Sequence, residues 1–103
     1  MPGIKSSCVA FTTLTATVSN SAVALASFSG YTAAKLERAS RAIVSVIAQP
    51  ISLTIDGTTP TATVGIGVAA NDWFIVEGID NITNIKCIRS GASDASVTIT
   101  LME

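Results

Sequence analysis

Apolar and hydroxyl-bearing side chains alternate along much of this chain with a period of two residues. Between Cys8 and Val18, Ala10, Leu14, Ala16 and Val18 fall on one face and Thr13, Thr15 and Thr17 on the other, the pattern of a strand with one buried and one wet face. Ser19-Asn20-Ser21 supplies a turn, and Ala22 to Phe28 a weaker second strand that Ser29-Gly30 ends. Tyr31 to Arg41 holds the helix formers Ala33, Ala34, Leu36 and Glu37, but it is too short for a helix that stands alone. The expectation there is a turn or one helical loop. Ala42 to Ala48 is a nearly unbroken apolar run rich in β-branched residues, which predicts a core strand covered on both faces.

Ile51, Leu53 and Ile55 alternate with Ser52, Thr54 and Asp56, and Val64, Ile66 and Val68 alternate with Gly65, Gly67 and Ala69. These two runs predict a hairpin. Its connection, Asp56-Gly57-Thr58-Thr59-Pro60-Thr61, has Asp-Gly for positive φ and Pro to stop further pairing, and it is long enough to protrude. Asn71-Asp72 predicts the next turn, Trp73 to Glu77 a strand, Gly78 to Asn81 a turn, and Ile82 to Arg89 a strand. After a Gly- and Asp-containing turn over Ser90 to Ala95, Val97, Ile99 and Leu101 alternate with Thr98 and Thr100. About eight short antiparallel strands at this spacing predict an all-β fold, a sandwich or a closed barrel, with a single jelly-roll-like β-sandwich the first choice. Residues 8–103 would form that domain and residues 1–7 an extended N-terminal arm.

Composition narrows what such a domain could do. Only 13% of its 103 residues are charged while 49% are apolar, and the formal net charge is −1. A surface this neutral favours a protein that assembles, because charge is what usually keeps monomers apart. Six Lys and Arg against seven Asp and Glu, with no run of either sign, build no field for a phosphate backbone, so nucleic acid is not an expected partner. Few aromatics are present to stack bases: Phe11, Phe28, Tyr31, Trp73 and Phe74. Lys5 and the Ala24-Leu25-Ala26 triplet imitate a signal peptide, but the hydroxyl residues between them dilute the apolar stretch that one requires. No run approaches the ~20 apolar residues of a membrane span. The expectation is a soluble chain, intracellular when made, with no membrane partner.

Candidate chemistry is sparse. Histidine is absent, and Cys8 and Cys87 form no metal-ligand spacing, so neither a metal nor a cofactor is expected. Each thiol reads as a small buried hydrophobe, with a disulfide between the two left open. Carboxylates and hydroxyls sit beside turn residues without clustering, which predicts no catalytic residues and no enzyme. Asp56, Asp72, Asp80 and Asp94 could gather to hold calcium, but Asp is favoured in turns for its own backbone hydrogen bonds. Gly30 and Lys35 lack the rest of a phosphate loop, and Asn81-Ile82-Thr83 is a bare glycosylation triplet. Trp73 and Phe74 must point to opposite faces, one into the core and one outward. Gly65 and Gly67 weaken their strand unless it bends there or something lies close against the backbone. The N-terminal residues Pro2, Gly3, Ile4 and Lys5 form either a frayed end or an arm for a neighbour's sheet edge. Together with Gly65 and Gly67 they are the candidate subunit or capsid interface.

One stretch carries a resemblance. Arg41-Ala42-Ile43-Val44, the loop Thr54-Ile55-Asp56-Gly57 with Thr59-Pro60-Thr61-Ala62-Thr63-Val64-Gly65, Ile88-Arg89-Ser90-Gly91-Ala92 and Val97-Thr98-Ile99 resemble small structural proteins of tailed bacteriophages. The resemblance covers about sixty residues and implies a virion component. For a domain of this size it implies a capsid cement or decoration protein that sits as a homo-oligomer; low charge and the N-terminal arm favour a trimer, or else a dimer, over a monomer. Its partner would be the major capsid protein and its place the outer capsid surface, after synthesis in the host cytoplasm. A tail, neck or fibre component and a carbohydrate-binding module are the alternatives.

Overall fold

Alternation becomes eight strands: β1 (Ala10–Val18), β2 (Val23–Ala24), β3 (Arg41–Ile47), β4 (Ile51–Thr54), β5 (Ile66–Val68), β6 (Trp73–Glu77), β7 (Lys86–Arg89) and β8 (Ala95–Met102). Two short helices, α1 (Ala33–Arg38) and α2 (Ile79–Thr83), join them. The structure is a computed structural model in which residues 9–103 are described. The strands form two four-stranded sheets, ordered β1-β8-β3-β6 and β2-β7-β4-β5, with every pairing antiparallel. Strand one pairs with eight, two with seven, three with six and four with five. The chain is therefore one long hairpin bent over on itself, with its tip at the β4–β5 connection.

The core lies where the inner faces of the two sheets meet, as an all-β sandwich requires. Across the first sheet Leu14, Ile99, Val44 and Phe74 stand in one row, with Thr12, Leu101, Ala42 and Val76 in the next. Leu14, Ile99, Val44, Leu101 and Ala42 are wholly buried, as are Ile51, Leu53 and Cys87 from the second sheet. Each of the Leu, Ile and Val side chains contributes about 1.5–3 kcal/mol by leaving water, and Ala42 less. Strand β8 buries Ala95, Val97, Ile99 and Leu101 in strict alternation.

Several sequence expectations are corrected. The expected strand over Ala22 to Phe28 is only two residues long, because a 3₁₀ turn at Leu25–Ser27 drops Leu25 and Phe28 into the core. Ala10, expected on the inner face of β1, is exposed: a register shift between Ala10 and Thr12 displaces it. Strand β3 is buried on one face only, through Ala42, Val44 and Val46, while Ile47 is exposed on the other. The turn expected before Ile82 is the helix α2, which seats Ile82 in the core and leaves Lys86–Arg89 as the strand. In α1, the expected helical loop, the Thr32 hydroxyl caps the helix by accepting from the Lys35 N–H at 3.1 Å.

The hairpin connection also departs from expectation, since it folds back instead of protruding. Strand β4 is buried on both faces, Ser52 and Thr54 included, although these were expected on a wet face. The Ser52 hydroxyl donates to the Val64 carbonyl at 3.0 Å and that of Thr54 to the Thr58 carbonyl, so the returning loop covers them. Pro60 is buried, while Val64 and Ile66, expected inside, are exposed.

The crossing from β3 to β4 forces Ala48 to φ 76°, a left-handed conformation that a Cβ disfavours. Ala48→Gly should raise stability by roughly 0.5–1 kcal/mol net of the backbone freedom that glycine gains when unfolded. A shift of the urea midpoint at constant slope would measure it.

Candidate docking surface

Because one face of the β1-β8-β3-β6 sheet builds the core, the residues between those core positions form an outer face that no other layer covers among the described residues. Register sets its rows. Trp73, Ser45, Thr98 and Thr15 lie side by side in one, and Ile75, Ile43, Thr100 and Thr13 in the next. Ile47, Ser96 and Thr17 form a third, and Glu77, Arg41 and Met102 a fourth. The β1–β8 half is thus a ladder of hydroxyls, and the β3–β6 half is apolar.

The apolar half is the more informative. Trp73 is 60% exposed, Ile47 48% and Ile75 46%, next to the half-buried Ile43. Contiguous exposure of large apolar side chains marks interaction sites in soluble proteins. The only charges in these rows are Arg41 and Glu77, which pair with each other at 3.1 Å. The face is therefore electrically neutral, and it can be covered without stranding a charge. Trp73 and Phe74 point to opposite faces as the sequence predicts, and the structure makes Trp73 the outward one and packs Phe74 against the core. Ile43, Ile47 and Ile75 were missed, since β3 read as covered on both sides. Both strands are mostly apolar along the chain, so only their pairing after folding shows which face lacks cover.

The residues singled out from sequence have local roles. Gly65 lies just outside β5 at φ 140°, and a Cβ there would meet the Ser52 oxygen at 2.4 Å. Close packing of the returning loop on β4 accounts for it. Gly67 is in β5 and exposed, and a Cβ there would meet nothing within 4 Å. Pro2, Gly3, Ile4, Lys5 and Cys8 lie outside the described residues.

Among the described residues no three His, Cys, Asp or Glu side chains come together. Asp56 accepts from the Thr58 N–H at 3.0 Å, a bond that holds its carboxyl below the usual carboxylate range. The turn keeps that support above the normal carboxylate pKa and loses it as acid protonates Asp56. Asp72 accepts from the Trp73 N–H at 2.8 Å and Asp94 pairs with Arg89 at 2.7 Å. The Lys35 ammonium donates to the Gly30 carbonyl at 2.8 Å, closing its own turn, and the Asn81 amide donates to the Glu77 carbonyl at 2.9 Å. Burial pushes the free Cys87 thiol up to about 12, which leaves it protonated and unreactive at neutral pH.

No helix among the described residues is long and apolar enough to cross a membrane. Comparison of the chain with family models, with curated proteins and with solved structures gives no match.

Two measurements check this description. Iodoacetamide at neutral pH should leave Cys87 unmodified in the native protein and modify it fully in denaturant, read by peptide mapping. Gly65→Ala should cost at least about 1–3 kcal/mol, from overlap with Ser52 added to backbone strain, whereas Gly67→Ala should change stability by less than about 0.5 kcal/mol.

Proposed function

We propose that this chain is a non-catalytic structural protein of a phage virion, most specifically a cement or decoration protein. It would lie as a homo-oligomer on the outer capsid surface and brace neighbouring major capsid subunits. The observation that carries an attachment role is the uncovered, neutral, half-apolar sheet face around Trp73, Ile75 and Ile47. Such a face holds a partner by burial and shape, and repetition over a shell multiplies modest affinities. The capsid as partner rests on the resemblance carried by the Asp56 to Gly65 loop and the segments around it. Synthesis in the host cytoplasm belongs to the same reading.

The jelly-roll reading draws support from strand order. Sheets ordered β1-β8-β3-β6 and β2-β7-β4-β5 connect as two Greek keys formed by folding one long hairpin. A tail, neck or fibre role would suit the same surface and differs in copy number. A glycan-binding role is favoured by one observation, the Trp73 ring standing in one row with the hydroxyls of Ser45 and Thr98. In that case Trp73→Ala would abolish binding on a glycan array.

Quantitative gel analysis of purified virions should find this chain at a copy number comparable to that of the major capsid protein. A handful of copies per particle would exclude the decoration role.

A further inference from the structure

A sandwich with two open sheets has four edge strands, and each edge offers unpaired backbone groups to other chains unless it is blunted. Three of the four are. Strand β2 has two residues and β5 has three. The β1 edge is closed at its middle, where Thr15 and Ser29 exchange backbone hydrogen bonds at 3.2 and 2.8 Å, and the β1–β8 register breaks near one end. Strand β6 is different. Its five residues, Trp-Phe-Ile-Val-Glu, run without a register break, and they include no Pro, no Gly and no positive charge.

The direction of its backbone groups follows from the register with β3. Val46 donates to the Asp72 carbonyl and Gly78 to the Ser40 carbonyl, and both pairs continue the β3–β6 register. Antiparallel pairs alternate between bonded and non-bonded. Phe74 and Val76 therefore turn their backbone groups toward β3, while Trp73, Ile75 and Glu77 turn theirs outward. At the ends these groups have partial cover: the Trp73 N–H donates to the Asp72 carboxylate and the Glu77 carbonyl accepts from Asn81. The N–H and C=O of Ile75, at the centre, have no partner among the described residues.

We propose that β6 pairs with β6 of a second copy across a two-fold axis at Ile75, joining two sheets into one of eight strands. In that register each Ile75 exchanges both backbone bonds with its counterpart, and Trp73 lies opposite Glu77 of the second copy. Like charges do not face each other, because Glu77 meets an indole and the axis passes through an uncharged side chain. Any such pair is closed by its own symmetry, which stops the edge from growing into a filament. The two outer faces then run together, with the Trp73 and Ile75 side chains of both copies flanking the join. The inference rests on the proposed self-assembling role, deepens it, and names a dimer where low charge and the N-terminal arm admitted a trimer or a dimer, the trimer first.

The test uses the full chain in sedimentation equilibrium from about 1 to 500 µM, a range that brackets a narrow interface of this kind. Wild type should shift from chain mass to twice chain mass. Ile75→Pro removes an N–H that β3 does not use, so the sheet is retained and the shift is lost. Ile75→Lys, which sets two ammonium groups across the axis, should also abolish it, while Thr13→Lys on the far strand of the same face should not. Circular dichroism establishes that each variant is folded. Hydrogen exchange at the Ile75 amide gives a second readout, slowing at least about tenfold between the dilute and the concentrated sample. A wild type that stays monomeric, a trimer, an oligomer indifferent to both Ile75 variants, or a fast Ile75 amide in the oligomer would overturn the proposal. So would a monomer whose β6 edge pairs only with a segment of another protein. Virion copy number is measured separately, so a dimer absent from capsids defeats the capsid reading and leaves the pairing intact.

Discussion

Strand β8 is the element on which the rest of the structure depends. It lies between β1 and β3, and its four inward residues, Ala95, Val97, Ile99 and Leu101, are all essentially buried. A strand can bury every second side chain only if both neighbours keep its register, because a slip of one residue would turn the whole set outward. Leu14 and Val18 of β1 and Ala42, Val44 and Val46 of β3 occupy matching positions. The same constraint creates the outer face. Once Val97 and Ile99 point inward, Ser96, Thr98 and Thr100 must point out, and the register assigns them Thr17, Thr15 and Thr13 as neighbours.

The two sheets are finished differently. The outer side of β4 is closed by its own returning loop, which is why Ser52 and Thr54 are buried yet hydrogen-bonded. Nothing in the described chain returns across β3 and β6, so Trp73 and Ile75 stay in water. The two sheets of the sandwich therefore differ: the returning loop covers β4 on its outer side, while the outer side of β3 and β6 stays open among the described residues. This asymmetry is what separates a candidate docking face from the rest of a surface that is neutral nearly everywhere.

Much of the fold was legible in the chain because β1 and β8 alternate, and the hairpin joining β4 to β5 follows from its turn residues. The rest depended on long-range neighbours. Ile43 and Ile47 have the same branched side chains whether or not a second layer covers them, so a run of apolar residues could not reveal which face of β3 lacked cover. Ser52 looked like a wet residue until the loop more than ten positions later was seen to cross it. Leu25 and Phe28 break the expected second strand because a tight turn buries both, which pairing would not. The candidate surface was the least legible part, since it is composed of residues from β3 and β6 that only meet after folding. Gly65 reads in sequence as a place where something lies close against the backbone, and the neighbour found there is the molecule's own β4.

Pairing β1 with β8 has a kinetic consequence. These strands are separated by roughly eighty residues, and closing a loop of that size is entropically costly before any contact compensates it. The central row of the core cannot form until β8 arrives, so this domain should fold only once β8 has emerged from the ribosome, and more slowly than a helical bundle of equal length. During that interval β3 and β6 are exposed on both faces, and a nascent chain would benefit from chaperone cover until β8 has been made.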